Sequence, residues 1–412
     1  MTFLKICVGR RMGAQNGKLE TGKVKFENLD DRDVGKMREL FEKYQAKNGR
    51  IDLSQFKAAF PILNQFSTKI FDYLKDAKDN KVTIPSVLQM CNSAFGTYSE
   101  QSEILKNLFA NDIISNIVTI YSKANAISNH EKLIRYFNET NRFGNEKFDM
   151  FLLENPLFVK MSQFVFSSIL SKVSKPIQPN LQNVKSSLLD SSDLLVLNSH
   201  LPMDQQKKWT LLFSSASMGD SFSQMVKRIN REGSCIVLIR SENQKTFGFF
   251  ASAGFQSGPL YHGNEQCFLF EIGKDNINLY SSTGRENNYA YLNYQQQSLP
   301  NGLGIGGKED VWPVFIHEEY GSGICQKDSV AFEKCFVAGE KEFQIETMEV
   351  WRVGEKPVNR DENGDIIPEK KEKSIIDKDP EARAVLEMAG KPMHSDIYRD
   401  PPPLLDEEDE TP

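Results

Sequence analysis

Paired cysteines are missing from this sequence. The six that occur, Cys7, Cys91, Cys235, Cys267, Cys325 and Cys335, are scattered, with no C-x-x-C among them. That spacing fits free thiols in a reducing compartment and excludes the disulfide framework of a small secreted domain. Long apolar runs are missing too. The best candidate, Phe158–Leu170 (FVKMSQFVFSSIL), is broken by a lysine and polar residues, so a membrane-spanning helix is not expected. The opening MTFLKICVGRR lacks the apolar segment of a signal peptide. Histidine is scarce, with five copies (His130, His200, His262, His317, His394) and no H-x-x-x-H, which leaves no zinc-ligand spacing. An excess of positive charge is also absent. With 50 Lys+Arg against 56 Asp+Glu the net charge is -6, which argues against a nucleic-acid binder held by phosphate contacts. Together these absences point to a cytoplasmic protein, or one attached to a membrane from the cytosolic side.

A chain of 412 residues is long enough for two or three domains with a sizeable core. Phenylalanine, at 28 copies, predicts cores built on aromatic packing. Residues 1–28 are rich in Gly, Lys and Asn without periodicity and read as disordered. From 29 to 174 the pattern is helical. The stretch 175–187, with two prolines, reads as a linker. From 188 to 356, apolar runs such as SCIVLIRS, TFGFFASAGF, CFLFEI, INLYSS and TMEVWRV are bounded by glycines and predict strands. Residues 357–412 are charged and proline-rich.

Within the helical half, Asp31–Tyr44 puts Val34, Met37, Leu40 and Phe41 on one face, with Asp30 or Asp31 as N-cap. Gly49 and Ile51 match the sixth and eighth positions of an EF-hand loop. Calcium needs oxygen ligands at positions 1, 3, 5, 9 and 12, which here are Tyr44, Ala46, Asn48, Asp52 and Gln55. A second copy centres on Val82 and offers Lys75, Ala77, Asp79 and Ser86. Too few oxygens remain to replace a hydration shell, so both units are expected as helix–loop–helix packing elements, with no metal.

Three tests for chemistry give little. Gly302, Gly304 and Gly307 fit G-x-G-x-x-G, but a dinucleotide turn needs a strand before it and a helix after it. The flanks NYQQQSLPN and KEDVWPVFI supply neither, so the glycines are expected in a tight loop between strands. Cys235 or Cys267 could pair with His262 or His317, yet no helix N-terminus or basic cluster beside them would activate a thiol. Glu349 is a carboxylate between apolar strand residues and is a candidate general base. No cofactor is expected.

WTLLFSSASMGDSFSQMVKRI, FGFFAS, CFLFEI, YLNYQQQSLPNGLGIGG and TMEVWRVG come in an order and spacing that resembles a TLDc domain. The positions that carry the resemblance include Leu212, Phe213, Ser214, Gly219, Phe222, Gly248, Phe250, Phe268, Gly302, Gly304, Gly307, Glu349 and Trp351. With EF-hand-like helices ahead of it, the chain resembles the mTOR-associated eak-type subfamily. The resemblance implies an α+β fold, a helical EF-hand-like domain followed by a TLDc β-sandwich with surrounding helices. It also implies a non-enzymatic regulator on lysosomal or other endomembranes that binds the cytosolic sector of the vacuolar proton-pumping ATPase. A role in mTOR and nutrient signalling, with mTOR complex components as partners, and in the oxidative stress response goes with it. An oxidative-defence enzyme using a thiol or Glu349 is the alternative.

Members of that subfamily begin with a myristoylation signal. Here it would be Met12–Lys18 with Gly13 as acceptor, which requires a start at Met12 and has Gly17 where the pattern carries Ser or Thr. One acyl chain holds a membrane surface only reversibly. In the tail, Asp379-Pro380 and Gly390 bound a helix at 380–389 with Ala382, Val385, Leu386 and Ala389 on one face. Such a short helix needs a surface, its own domain or a partner's.

Overall fold

The computed structural model of the chain describes residues 26–44, 48–172, 176–182, 184–296, 299–308 and 310–357. The expected acylation site Gly13 and the expected tail helix with Ala382, Val385, Leu386 and Ala389 lie outside the described residues.

The helical half runs through α1 (Asp31–Lys43), α2 (Leu53–Ala59), α3 (Ser67–Leu74), α4 (Ile84–Ala94), α5 (Tyr98–Phe109), α6 (Ile113–Ala124), α7 (His130–Thr140), α8 (Phe148–Glu154) and α9 (Pro156–Ile169). Reciprocal caps set several starts: Asp30 with Asp33, Asp52 with Gln55, Thr83 with Ser86 and Thr97 with Glu100. Each cap satisfies amide groups that the first helical turn leaves without a partner. Met37 and Phe41 of α1 are buried as the spacing predicts, with Val34 and Leu40 packed alongside.

The two helix–loop–helix units, α1–α2 and α3–α4, are joined by β1 (Arg50–Ile51) and β2 (Val82–Thr83), which pair antiparallel with Ile51 opposite Val82. Both side chains are fully buried, and each such burial stabilises by roughly 1.5–3 kcal/mol. The phenylalanines do the expected packing. Phe137, Phe148, Phe151 and Phe158 form a cluster with ring centroids from 4.8 to 6.3 Å apart.

Past the helical half come α10 (Ser191–Ser199), β3 (Trp209–Ser214), α11 (Ser215–Met218), α12 (Phe222–Ile229), β4 (Cys235–Ser241), β5 (Thr246–Ala251), β6 (Phe268–Ile272) and β7 (Ile277–Ser281). Then follow β8 (Ala290–Asn293), β9 (Gly302–Ile305), β10 (Val314–His317), β11 (Ser322–Ile324) and β12 (Glu342–Val353). Among the described residues β3–β12 form one antiparallel sheet in the order β7-β6-β5-β4-β12-β11-β10-β9-β8, with β3 also on β12.

The long β12 belongs to two layers. Its first residues pair with β11, and from Ile345 on it pairs with β4 and then β3, with register shifts near Ile345 and Val350. Such bulges bend a strand and let it change layers. The layers close over one core in which Val237, Ile239 and Phe249 meet Leu292, Leu303 and Ile316. The α+β fold with a β-sandwich is as expected.

One expectation needs correction. Gly302, Gly304 and their neighbours are not a loop: Gly302–Ile305 is β9, paired with both β8 and β10. Of the run, only Gly306 has a left-handed backbone, with φ of 69°. The glycines are required by what lies on them, described next.

Candidate functional site

Glu349 lies on β12 between Ser214 of β3 and Leu238 of β4 and is 3% exposed. Its carboxylate accepts hydrogen bonds from Ser186 Oγ at 2.6 Å, Ser187 N at 2.8 Å, Ser187 Oγ at 2.7 Å and Trp351 Nε1 at 2.8 Å. A carboxylate has about four acceptor positions, and all are taken. With no free lone pair and no access, Glu349 is placed as a clasp that ties the 186–187 segment to the sheet, not as a general base. The segment expected to be a linker therefore supplies the partners of the most deeply placed acidic motif residue.

The clasp continues through tryptophan. Trp351 lies 6.4 Å, centroid to centroid, from Trp209, whose Nε1 donates to Asn198 Oδ1 at 2.9 Å. Asn198 is on α10, and α10 is apolar on more than one side. Leu195 and Val196 enter the helical core, while Leu194 and Leu197 pack on the outer face of the sheet with Trp209 and Trp351. A helix with no polar stripe must be covered all round, and here the helical half covers one side and the sheet the other.

Polar groups line the same seam. Lys132 of α7 reaches Asp193 of α10 at 2.7 Å and Asp190 at 3.5 Å, with Lys132 and Asp193 each 3% exposed. Burial, with the nearby Asp190 charge, raises the Asp193 carboxyl to about 6 despite the Lys132 ammonium. Ser192 Oγ donates to Ser128 O at 2.6 Å, and Tyr136 Oη bonds His200 Nε2 at 2.8 Å. Burial holds His200 below its usual range. A cavity of about 400 Å³ opens on the seam, walled by Leu181, Lys185, Leu189, Trp209 and Trp351.

A second cluster of motif residues sits elsewhere, on β9. A Cβ added at Gly304 would come within 2.7 Å of Phe315 and 2.9 Å of Trp312, and one at Gly307 would overlap Trp312. At Gly302 it would overlap Ile316 O and the Phe315 ring. The glycines are thus a floor for Trp312 and Phe315, whose rings are 4.6 Å apart and adjoin Tyr291. Gly248 of β5 serves the same end differently, because a Cβ there would overlap Val237 O of β4. Phe213 and Phe222 are core residues. Ser214 pairs with Glu349 across the ladder, and Gly219, with φ of 82°, ends α11.

The structure therefore brings Phe213, Ser214, Glu349 and Trp351 together and leaves the glycine strand apart from them. Ser186, Ser187, Lys132 and Asp193 escaped the sequence reading. The one available signal was Asp190-x-x-Asp193 ahead of an apolar run, a helix-start pattern.

In the loops of the helix–loop–helix pair, Asp52 is used as the cap of α2, and Gln55 Nε2 donates to Tyr44 O at 2.8 Å. Arg50 of the first loop pairs with Asp79, and with Asp76 at 3.6 Å, in the second. An arginine thus stands among the second loop's carboxylates. Among the described residues no group of three or more His, Cys, Asp or Glu is placed to hold a metal ion.

The thiols are equally committed. Cys91, Cys235, Cys267 and Cys325 are buried, and burial raises each of them. Cys335 is pushed up to about 12 by burial and neighbouring negative groups. Cys235 Sγ bonds Gly233 O at 3.1 Å and Cys267 Sγ bonds Ser252 Oγ at 3.2 Å; neither contact is with His262 or His317, the pairings that the sequence allowed but did not favour.

The stretch that forms this two-layer antiparallel sandwich is similar to the TLDc domain family. The match covers residues 182–354, a stretch that takes in Ser186 and Ser187. The mTOR-associated protein MEAK7 of Gallus gallus is 37% identical over 237 residues, 56% of this chain and 48% of the relative. Its Homo sapiens counterpart is 35% identical over 218 residues, 52% of this chain and 46% of the relative. Oxidation resistance protein 1 of Xenopus tropicalis is 26% identical over 176 residues, 42% of this chain and 19% of the relative. The chain spans about half the length of the MEAK7 proteins it matches.

Proposed function

We propose that the protein is a non-enzymatic regulator or adaptor in mTOR and nutrient signalling. It acts at the surface of lysosomes or other endomembranes, where it binds the cytosolic sector of the vacuolar proton-pumping ATPase. The observation that carries the regulator reading is the similarity, at 33–37% identity, to proteins named for their association with mTOR. The absence of catalysis draws support from Glu349, whose acceptor positions are filled, and from thiols that burial keeps protonated.

No helix of the described residues is long and apolar enough to cross a membrane, so attachment comes from the pump, aided by acylation at Gly13. The tail helix at 380–389 adds a second contact, and two weak contacts on one chain raise avidity. Similarity to oxidation resistance proteins supports a part in the oxidative stress response, exercised through regulation.

The test is ATP hydrolysis by the purified cytosolic pump sector with and without the full-length protein, with binding followed in parallel. Binding with altered hydrolysis is the expected result. A folded protein that neither binds nor changes hydrolysis overturns the pump assignment, and peroxide turnover by the same sample would restore the enzyme reading.

A further inference from the structure

Beside the seam cavity, with Gln178 in the wall of both, lies a groove of about 710 Å³. Its apolar wall is Phe164 of α9, Pro176, Ile177 and Met203, and its charged groups are Lys160 and Lys207. Met203, 81% exposed, is the most exposed large apolar side chain among the described residues. Among the described residues no carboxylate lines the groove. Lys160 Nζ donates to Gln206 Oε1 at 2.8 Å, a neutral partner that leaves its charge unbalanced. Between Glu154 and Asp190 the sequence carries no acidic residue although the net charge is -6, and of its four lysines there Lys160 lines the groove.

We propose that this groove takes an acidic amphipathic helix from a partner protein. Its apolar stripe would cover Phe164, Ile177 and Met203, while its carboxylates would face Lys160 and Lys207. Helix-in-groove recognition uses apolar anchors at i, i+3, i+4 and i+7, and unlike charges across the rim fix orientation and speed the encounter. A concave wall rimmed by Gln163, Gln178 and Gln206 suits a helix with polar flanks better than the flat headgroup layer of a membrane. Nothing in this recognition requires that the partner be a proton pump.

The experiment uses the full-length protein and a fluorescein-labelled helical peptide with leucines at i, i+3, i+4 and i+7 and glutamates between them. A lysine-for-glutamate version serves as the charge control, and phosphatidylserine–phosphatidylcholine vesicles as the membrane arm. The glutamate peptide is expected to bind and the lysine peptide not to bind, with affinity falling as salt rises. M203E combined with K207E is expected to weaken binding by about tenfold or more, a difference of about 1.4 kcal/mol. L260E, at an exposed apolar residue elsewhere, is expected to leave it unchanged. Unaltered melting temperatures confirm that both variants fold. Equal binding of the two peptides, or unchanged affinity in the double variant, overturns the proposal. So does vesicle binding that the double variant abolishes while the glutamate peptide fails to bind.

Discussion

Replacing Glu349 by Gln keeps the shape of the clasp and changes one oxygen to an NH2 group. Two of the four donors, Ser187 N at 2.8 Å and Ser187 Oγ at 2.7 Å, share Oε1 and keep an acceptor. The other oxygen receives Ser186 Oγ at 2.6 Å and Trp351 Nε1 at 2.8 Å. The Ser186 hydroxyl already accepts from Leu188 N and Leu189 N at 3.1 Å, and the indole N–H can only donate. Trp351 is fully buried, so its N–H would face another donor with no water to turn to. Leaving one buried donor unsatisfied costs about 1–3 kcal/mol, and Glu349→Gln is expected to fall in that range.

Glu349→Ala removes all four acceptor contacts and leaves a cavity, for about 3–5 kcal/mol. Ser187→Ala is expected to cost less than about 1 kcal/mol, because that residue is exposed and keeps its backbone N–H on Glu349. Urea unfolding followed by tryptophan fluorescence measures all three. Trp351→Phe closes the cycle: in the Gln background it should cost less than in the wild type, because the clash is gone. A Glu349→Gln protein as stable as the wild type, or Ser187→Ala as damaging as Glu349→Ala, would refute the clasp.

Other positions give sharper or simpler outcomes. Gly248→Ala should destabilise more than Gly304→Ala, since the former strikes backbone at Val237 O and the latter the Phe315 and Trp312 side chains; melting temperatures rank them. Asp193 has a folded-state carboxyl near 6 against an ordinary 3.8. Between those values the native state holds the extra proton, so this group's contribution to stability falls as pH rises from about 4 to 6. Asp193→Asn should remove that slope and, with Lys132 left only Asp190 at 3.5 Å, cost less than the about 3–5 kcal/mol of a fully stranded buried charge at neutral pH; a stability curve that keeps the wild-type slope would refute it. Arg50→Ala should cost under about 1 kcal/mol because the pair with Asp79 and Asp76 is a third exposed, which a denaturant titration checks.

Residues whose work is local were legible in the sequence. The spacing of Met37 and Phe41, the apolar positions Ile51 and Val82, and the runs that became β4, β5, β6, β7 and β12 each carry a period or a cap that short-range physics imposes. The glycine run was misplaced for a physical reason. Glycine signals both positive φ and close approach, and a sequence does not say which. Here Trp312 and Phe315, eight and eleven residues after Gly304, demand close approach on a regular strand. Glu349 was visible as an acidic residue among apolar ones, but three of its four donor contacts come from more than 160 positions away, at Ser186 and Ser187. A segment with two prolines and several polar residues looks like a connector. It takes the fold to bring those hydroxyls under a buried carboxylate.

The piece least like its sequence expectation, α10, packs against both halves. It starts four residues after Ser187, and the reciprocal Asp190–Asp193 cap that begins it also holds Lys132. From Leu194 to Leu197 each side chain is buried, two against the helical core and two against the sheet. At roughly 1.5–3 kcal/mol for each such side chain, parting the halves would expose more apolar surface than the few surface hydrogen bonds of the seam could offset. Opening would also separate Lys132 from Asp193, which lie 2.7 Å apart across the seam. The helix–loop–helix pair and the sandwich are consequently carried at a fixed spacing. A partner that touches both surfaces finds them already arranged and loses less entropy on binding than it would to two tethered domains. The contact between the halves comes from four aliphatic side chains and the buried Lys132–Asp193 pair.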